Sequence, residues 1–190
     1  MKINELGQPI GDALPNFKPG DLPKMERLEG RYVIVECLSK DKHGANLYEV
    51  YGPDSPADMW TYLFQNPVQS QEEWSALLDQ MLAAQDRFYY AIVDKESGKA
   101  LGTFALMRIN RGSRVIEVGS VTYSPQLKRT RLATEAQYLL ARYVFDAATS
   151  GNAMHSINLQ DTQQKGLVLS TKALFVRQLF IKGVTETLTG

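Results

Sequence analysis

Cysteine is almost absent from this chain. Cys37 is the only one, so no internal disulfide can form and no thiol cluster can hold a metal. Histidine is nearly as scarce: His43 and His155 are too few for a Cys/His zinc site, and neither has the partners a nucleophilic triad needs. Neither sign of charge is in excess, because 21 Lys and Arg balance 21 Asp and Glu, and nothing electrostatic points to nucleic acid. There is no long apolar run and no signal-peptide pattern, which sets the expectation of a cytoplasmic protein with no membrane partner. Tyrosine and tryptophan are missing from one region, since all nine tyrosines and both tryptophans precede residue 147.

What is there suits one globular domain: 190 residues, 44% hydrophobic and 22% charged. Residues 1–30 carry Pro9, Pro15, Pro19 and Pro23 and read as an extended arm, neither helix nor central strand. Residues 31–38 are a β-branched run and a first strand, on which Cys37 alternates inward with Val33 and Val35. Ser39 caps a helix over 40–51 that Gly52-Pro53 closes. A loop carries Trp60 and Tyr62. Ser70 with Glu73 makes a capping box, and behind it Trp74, Leu77, Leu78, Met81 and Leu82 share a helical face. Three strands follow in meander at 88–93, 100–109 and 115–123, joined by turn-rich segments. A last helix over 132–146 turns Ala136, Leu139, Leu140, Tyr143 and Val144 inward.

The most informative junction lies between the last strand and that helix. The strand ending at Tyr123 breaks at Ser124-Pro125, passes through a basic loop (Leu127-Lys128-Arg129-Thr130-Arg131) and enters the helix near Leu132. Unpaired N–H groups and the partial positive charge of a helix start favour a phosphate there, and loop cations add to that field.

The order of strand, two helices, three antiparallel strands and helix resembles the first two-thirds of the GNAT acetyltransferase fold. The strings Asn4-Glu5-Leu6-Gly7-Gln8-Pro9-Ile10-Gly11, Met59-Trp60-Thr61-Tyr62-Leu63, Ile116-Glu117-Val118-Gly119 and Ala133-Thr134-Glu135-Ala136 are similar to those of its ribosomal-protein N-acetyltransferase branch. The resemblance implies an α+β fold: a mixed, mostly antiparallel sheet flanked by helices, with the C-terminal strand-helix-hairpin part missing or replaced. It divides the chain into an arm (1–30), the N-terminal two-thirds of the acetyltransferase domain (31–146) and an atypical tail (147–190).

The resemblance also implies acetyl-CoA as co-substrate and a primary amine as acceptor, a protein N-terminus or a small molecule. In that superfamily the loop before the third helix follows a Gln/Arg-x-x-Gly-x-Gly/Ala pattern and cradles the coenzyme A pyrophosphate. Lys128 takes the first position and Ala133 the last, while Arg131 stands where the pattern has glycine and so alters the backbone geometry. Lys128, Arg129, Thr130, Arg131, Leu132, Ala133 and Thr134 are thus the pyrophosphate candidates. Backbone groups of Val121, Thr122 and Tyr123 are expected along the pantetheine arm, one N–H serving as an oxyanion donor. Glu117, set among Val115, Ile116 and Val118, is the candidate base that takes the amine's proton. Trp60 and Tyr62 are the candidates for the acceptor pocket, with core packing as the plainer role for both.

The tail reads differently in a neighbouring frame. When the third base of each codon is joined to the first two of the next, residues 147–166 permit R-R-Y-E-W-K-C-D-A-L-N-K-P-S-R-H-A-A-K-R. The continuation to Gly190 permits L-G-F-K-Y-E-G-T-F-R-S-A-V-V-Y-K-G-R-N-R-D-T-D-W. That is the tail this acetyltransferase branch should have. Only the first base of each shifted codon is free, so few residues are allowed at each position and a match this long is not chance. The reading is a one-base frameshift near Asp146. It leads to three expectations: the fourth strand keeps a bare edge, the chain is unstable, and transfer is impaired. The alternatives are a divergent natural tail, a non-catalytic remnant that binds coenzyme A or a partner, and a tail that rebuilds a substitute strand and helix from 167–169 and 173–181.

Overall fold

In a computed structural model of the chain, residues 2–11, 17–63, 65–149 and 156–159 are described. Two short strands, β1 (Lys2–Ile3) and β2 (Pro9–Ile10), form an antiparallel hairpin at the start. The arm then supplies β3 (Arg27–Glu29), the edge strand of the main sheet, so it is not wholly apart from the domain. Next come β4 (Val33–Cys37), α1 (Lys40–Tyr51), a 3-10 turn at Ala57–Met59, α2 (Gln71–Ala83), β5 (Arg87–Asp94), β6 (Ala100–Asn110), β7 (Val115–Tyr123), α3 (Arg131–Thr149) and β8 (Ser156–Leu159). The main sheet runs β3-β4-β5-β6-β7-β8 in spatial order, antiparallel throughout except for the parallel pair β7–β8.

Strand alternation splits the core in two. Val33, Val35, Tyr90, Ile92, Phe104, Leu106, Ile116 and Val118 face one side, where they meet Ala136, Leu140 and Val144 of α3. Ala91, Val93 and Ala100 face the other, under Leu47 and Val50 of α1 and Trp74, Leu78 and Met81 of α2. The caps fall where the sequence places them. Ser39 Oγ accepts from Lys42 N–H, Gly52 N–H donates to Tyr48 O, and Ser70 Oγ accepts from Glu73 N–H. The reach back from Glu73 differs, because its carboxylate accepts from Gln69 N–H rather than from the cap residue.

Four expectations need correction. Cys37 ends β4 exposed, its thiol donating to Met25 O, because the strand runs out of the core at that residue. Leu82 points to solvent: the buried stripe of α2 is Trp74, Leu78 and Met81, and Leu82 falls one residue beyond it. The outer edge of β7 is not bare along its whole length, since β8 pairs with Val115 to Val118. The boundary drawn at Asp146 falls inside α3, which continues to Thr149. His155 and the segments 167–169 and 173–181 lie outside the described residues.

One side chain fixes α3 against the sheet. Glu135 is 4% exposed, and its carboxylate accepts backbone N–H groups from Arg31 (2.8 Å), Tyr32 (2.7 Å) and Val33 (2.9 Å) at the β3–β4 turn. Gly30 makes room for it: a Cβ there would lie 2.5 Å from the carboxyl carbon. A carboxylate that satisfies three peptide donors also fixes where the first turn of α3 begins. Glu135→Gln turns one acceptor into a donor facing N–H groups and should cost about 2–4 kcal/mol. Urea unfolding checks this, and an unchanged midpoint would show that the helix is held by packing alone.

Candidate functional site

The site forms where β6 and β7 depart from regular pairing. Their register slips between Thr103 and Ala105 and again between Met107 and Asn110. Two non-glycine residues at these slips adopt left-handed backbone, Ser120 (φ 48°) and Arg108 (φ 47°). Such conformations cost roughly 1–3 kcal/mol each and persist where the surrounding structure enforces them. Each bulge re-aims its strand. A cleft of about 380 Å³ opens on the α1–α2 face at these irregularities.

Glu117 lines this cleft. The residue is 6% exposed, and both carboxylate oxygens accept from Arg108 Nη1 at 3.1 and 3.2 Å. Tyr51, Tyr62, Tyr89, Leu77 and Met81 give the cleft its aromatic and aliphatic lining, beside polar groups such as Gln65, Ser120 and Thr122. Gly119 leaves the backbone bare two residues beyond Glu117, and a Cβ there would meet Met107 Sδ. Of the two aromatics read as acceptor candidates, only Tyr62 lines this space. Trp60 is buried, donates from Nε1 to Ser55 Oγ at 2.9 Å and packs against Tyr51 at 5.9 Å. A bulky aromatic with its polar atom satisfied internally is part of the core.

Tyr51 forms the inner wall. Its hydroxyl lies 2.6 Å from Thr103 Oγ1, and burial pushes its pKa up to about 12 against the opposing hydrogen bonds of Thr103 and Thr122. It keeps its proton at any working pH and acts as a fixed wall. Since the unfolded chain ionises this group at its ordinary 10.0, Tyr51's contribution to stability is whole below pH 10 and is lost as pH climbs towards 12. Alkaline unfolding should therefore set in above pH 10 and be shallower in Tyr51→Phe. An identical alkaline limb in the variant would show that other groups cause it.

Beyond the cleft, Thr122 lines the same space, whereas Val121 and Tyr123 pack towards α3, with Gln137 donating to the Tyr123 hydroxyl at 2.6 Å. Ser124 then starts a turn in which its carbonyl accepts from Leu127 and Lys128 N–H. Thr130 caps α3: its Oγ1 accepts from Ala133 N–H and donates to Leu127 O. Arg129 sits in left-handed backbone (φ 62°). Among the described residues, the backbone N–H groups of Arg129, Thr130, Arg131 and Leu132 have no hydrogen-bond acceptor, as expected of a helix start open to an anion.

Two of the three basic side chains of this loop are turned elsewhere. Arg131 lies over the Tyr32 ring at 4.1 Å, and Lys128 Nζ is 3.9 Å from Asp58 Oδ2. Arg129 and Thr134 are exposed, Leu132 is half-buried and Ala133 is buried. What this junction offers an anion is therefore backbone N–H groups more than arginine charge. Reading residues 100–109 as a plain strand left Arg108 unnoticed; the one signal for it was an arginine close to a hairpin turn, with a carboxylate on the opposing strand.

A strand distorted beside a buried carboxylate thus runs into a helix whose first N–H groups meet no acceptor among the described residues. The family model of the acetyltransferase (GNAT) domain matches residues 39–168. The chain belongs to the GNAT acetyltransferase family. No curated protein matches it. Among solved structures, a GCN5-related N-acetyltransferase from Brucella melitensis is 39% identical over 70% of this chain, with a TM-score of 0.67, and the match spans 60% of that protein. A protein from Chromobacterium violaceum described as a GNAT-family acetyltransferase is 24% identical over 90% of this chain and 81% of its own, with a TM-score of 0.67. One from Vibrio cholerae described as a ribosomal-protein-serine acetyltransferase is 11% identical over 83% and 81%, with a TM-score of 0.57. The last two are similar in fold alone.

Proposed function

We propose that this cleft transfers acetyl from acetyl-CoA directly to a primary amine, with Glu117 taking the amine's proton. The observation that carries the reading is the placement of a buried carboxylate in a cleft, on the strand that leads to the open start of α3. The amine attacks only when neutral, and a carboxylate within reach keeps it so. The nitrogen–carbon bond forms as the carbon–sulfur bond breaks, and the electron pair leaves on sulfur, which gains a proton. Among the described residues β7 has no strand beside Gly119 to Tyr123 on its outer side, so the backbone there can pair with the pantetheine arm. An N–H of Val121, Thr122 or Tyr123 is the oxyanion donor, and the N–H groups of 129–132 receive the pyrophosphate. Tyr62 borders the acceptor. Trp60 supports the wall through Tyr51 and is left out of the acceptor site.

We also propose that the tail from residue 147 is the product of the one-base frameshift, and that it lowers turnover. In the family the strand, helix and hairpin after the third helix form the far wall of the donor cleft. Here the described part of that wall is β8, which reaches only Val115 to Val118 of β7.

The test is to incubate the purified chain with acetyl-CoA and a panel of amines. Thiol release and the acetylated amine are followed together, and calorimetry measures acetyl-CoA binding. Binding with slow, Glu117-dependent transfer is the expected result. Binding with no transfer at all favours a non-catalytic module. Absence of both, in a chain that still unfolds cooperatively, overturns the reading.

A further inference from the structure

The charged groups lining the cleft are Arg87, Arg108 and Glu117. Arg87 is already occupied, its Nε and Nη2 donating to the two oxygens of Asp86 at 2.9 and 2.6 Å. Arg108 is occupied on one nitrogen only. Nη1 holds both oxygens of Glu117, while Nε and Nη2 meet no acceptor among the described residues, and the side chain is 64% exposed. The backbone is held in left-handed conformation to aim it this way, at a register slip in β6. A strained arginine that clamps the candidate base and leaves the rest of its fork open is poorly explained by stability. An ion pair with one partner this exposed contributes about 0–1 kcal/mol, no more than the strain costs.

Resting on the transferase reading above, we propose that Arg108 is an anion-binding residue of the acceptor site. The acceptor is then an amine that carries its own anionic group. The open edge of the guanidinium matches the paired oxygens of a carboxylate or a phosphate. An incoming ammonium competes with Arg108 for Glu117. An anion on the same molecule gives Arg108 a replacement partner, so the base is released when the right acceptor is seated. A diamine meets the opposite situation: its second positive charge faces the open edge of Arg108, while Arg87 is already paired with Asp86.

Four matched probes test this by equilibrium binding to the full chain, a readout that does not depend on turnover. They are 4-(aminomethyl)benzoate, its phosphonate counterpart, benzylamine and 1,4-bis(aminomethyl)benzene. At least one anionic probe should bind about tenfold tighter than benzylamine, the value of one charge-assisted hydrogen-bonded pair, and the diamine should bind weaker than benzylamine. Whichever of the carboxylate and the phosphonate binds tighter identifies the anion. Arg108→Gln should remove the preference, and Arg108→Lys should keep part of it, with unchanged unfolding midpoints as the control. If benzylamine binds and neither anion improves it, or if the preference survives in Arg108→Gln, the anion site is wrong and the transferase reading stands. If no probe binds, the acceptor cleft itself is wrong and this proposal falls with it.

Discussion

If the proposed frameshift is real, one base added near codon 146 should raise acetyl transfer by this chain. The restored chain would keep residues up to about Asp146 and replace the rest with the shifted reading, which resembles the strand, helix and hairpin of the family. Acetyl transfer is expected to rise by about a hundredfold or more, the cost typical of a misplaced reactant in an otherwise intact site. The reason is local. Glu117 and Gly119 line the cleft, but the described strand on the outer side of β7 stops at Val118, where the proposed donor arm would begin. A wall that continues past that point holds the thioester against the amine.

Stability should change in the same direction. Each apolar side chain newly buried against the open edge contributes about 1.5–3 kcal/mol, and each kcal/mol raises Tm by roughly 2–4 °C in a chain of this size. A restored strand and helix bury several, so a rise on the order of 10 °C is expected in thermal unfolding. The paired measurement is decisive, because equal turnover and equal Tm in the two chains would mean that the present tail already does what the family's tail does. Sequencing the gene through codon 146 tests the same inference from the other side.

Much of the fold was legible because its signals are local. The Ser39 and Ser70 caps, the Gly52-Pro53 stop and the largely apolar run of residues 115–123 each fix an element from a few neighbouring residues, and the elements fall there. The bulges were illegible because nothing in residues 100–109 marks a register slip; β6 and β7 set it together by long-range pairing. Glu135 shows the same limit. Its string pointed to a family, but its role as acceptor for three N–H groups a hundred residues away is visible only in three dimensions. For the candidate site, Glu117 and Tyr62, named from pattern and resemblance together, both line the cleft, while Trp60 takes the core role that was the plainer of its two readings. An aromatic in a loop carries no mark of whether it faces in or out. The basic loop was readable as a helix start and misleading as a charge cluster, since Tyr32 and Asp58 draw two of its cations aside.

Glu117→Gln is the substitution with the largest expected effect on chemistry alone. The amide has nearly the same shape and cannot accept the ammonium proton, so kcat should fall by roughly 10²–10⁴, the usual contribution of a positioned base. Acetyl-CoA binding should hardly move, because the proposed pyrophosphate and pantetheine contacts are made by backbone between Val121 and Leu132. The fold should survive as well. Arg108, the partner left behind, is mostly exposed and its charge stays hydrated, so the unfolding midpoint should shift by no more than about 1 kcal/mol. The discriminating measurement is the pH profile, best made in the frame-restored chain, where rates are highest. With the carboxylate gone, transfer depends on amine that is already neutral. The variant's rate should therefore keep climbing with pH towards the pKa of the free amine, about 10 for an alkyl ammonium. The parent should level off earlier, and the two curves should approach each other at the alkaline end. A variant that loses activity by the same factor at every pH would place Glu117 in the architecture of the cleft through its hold on Arg108, and the base would have to be sought elsewhere.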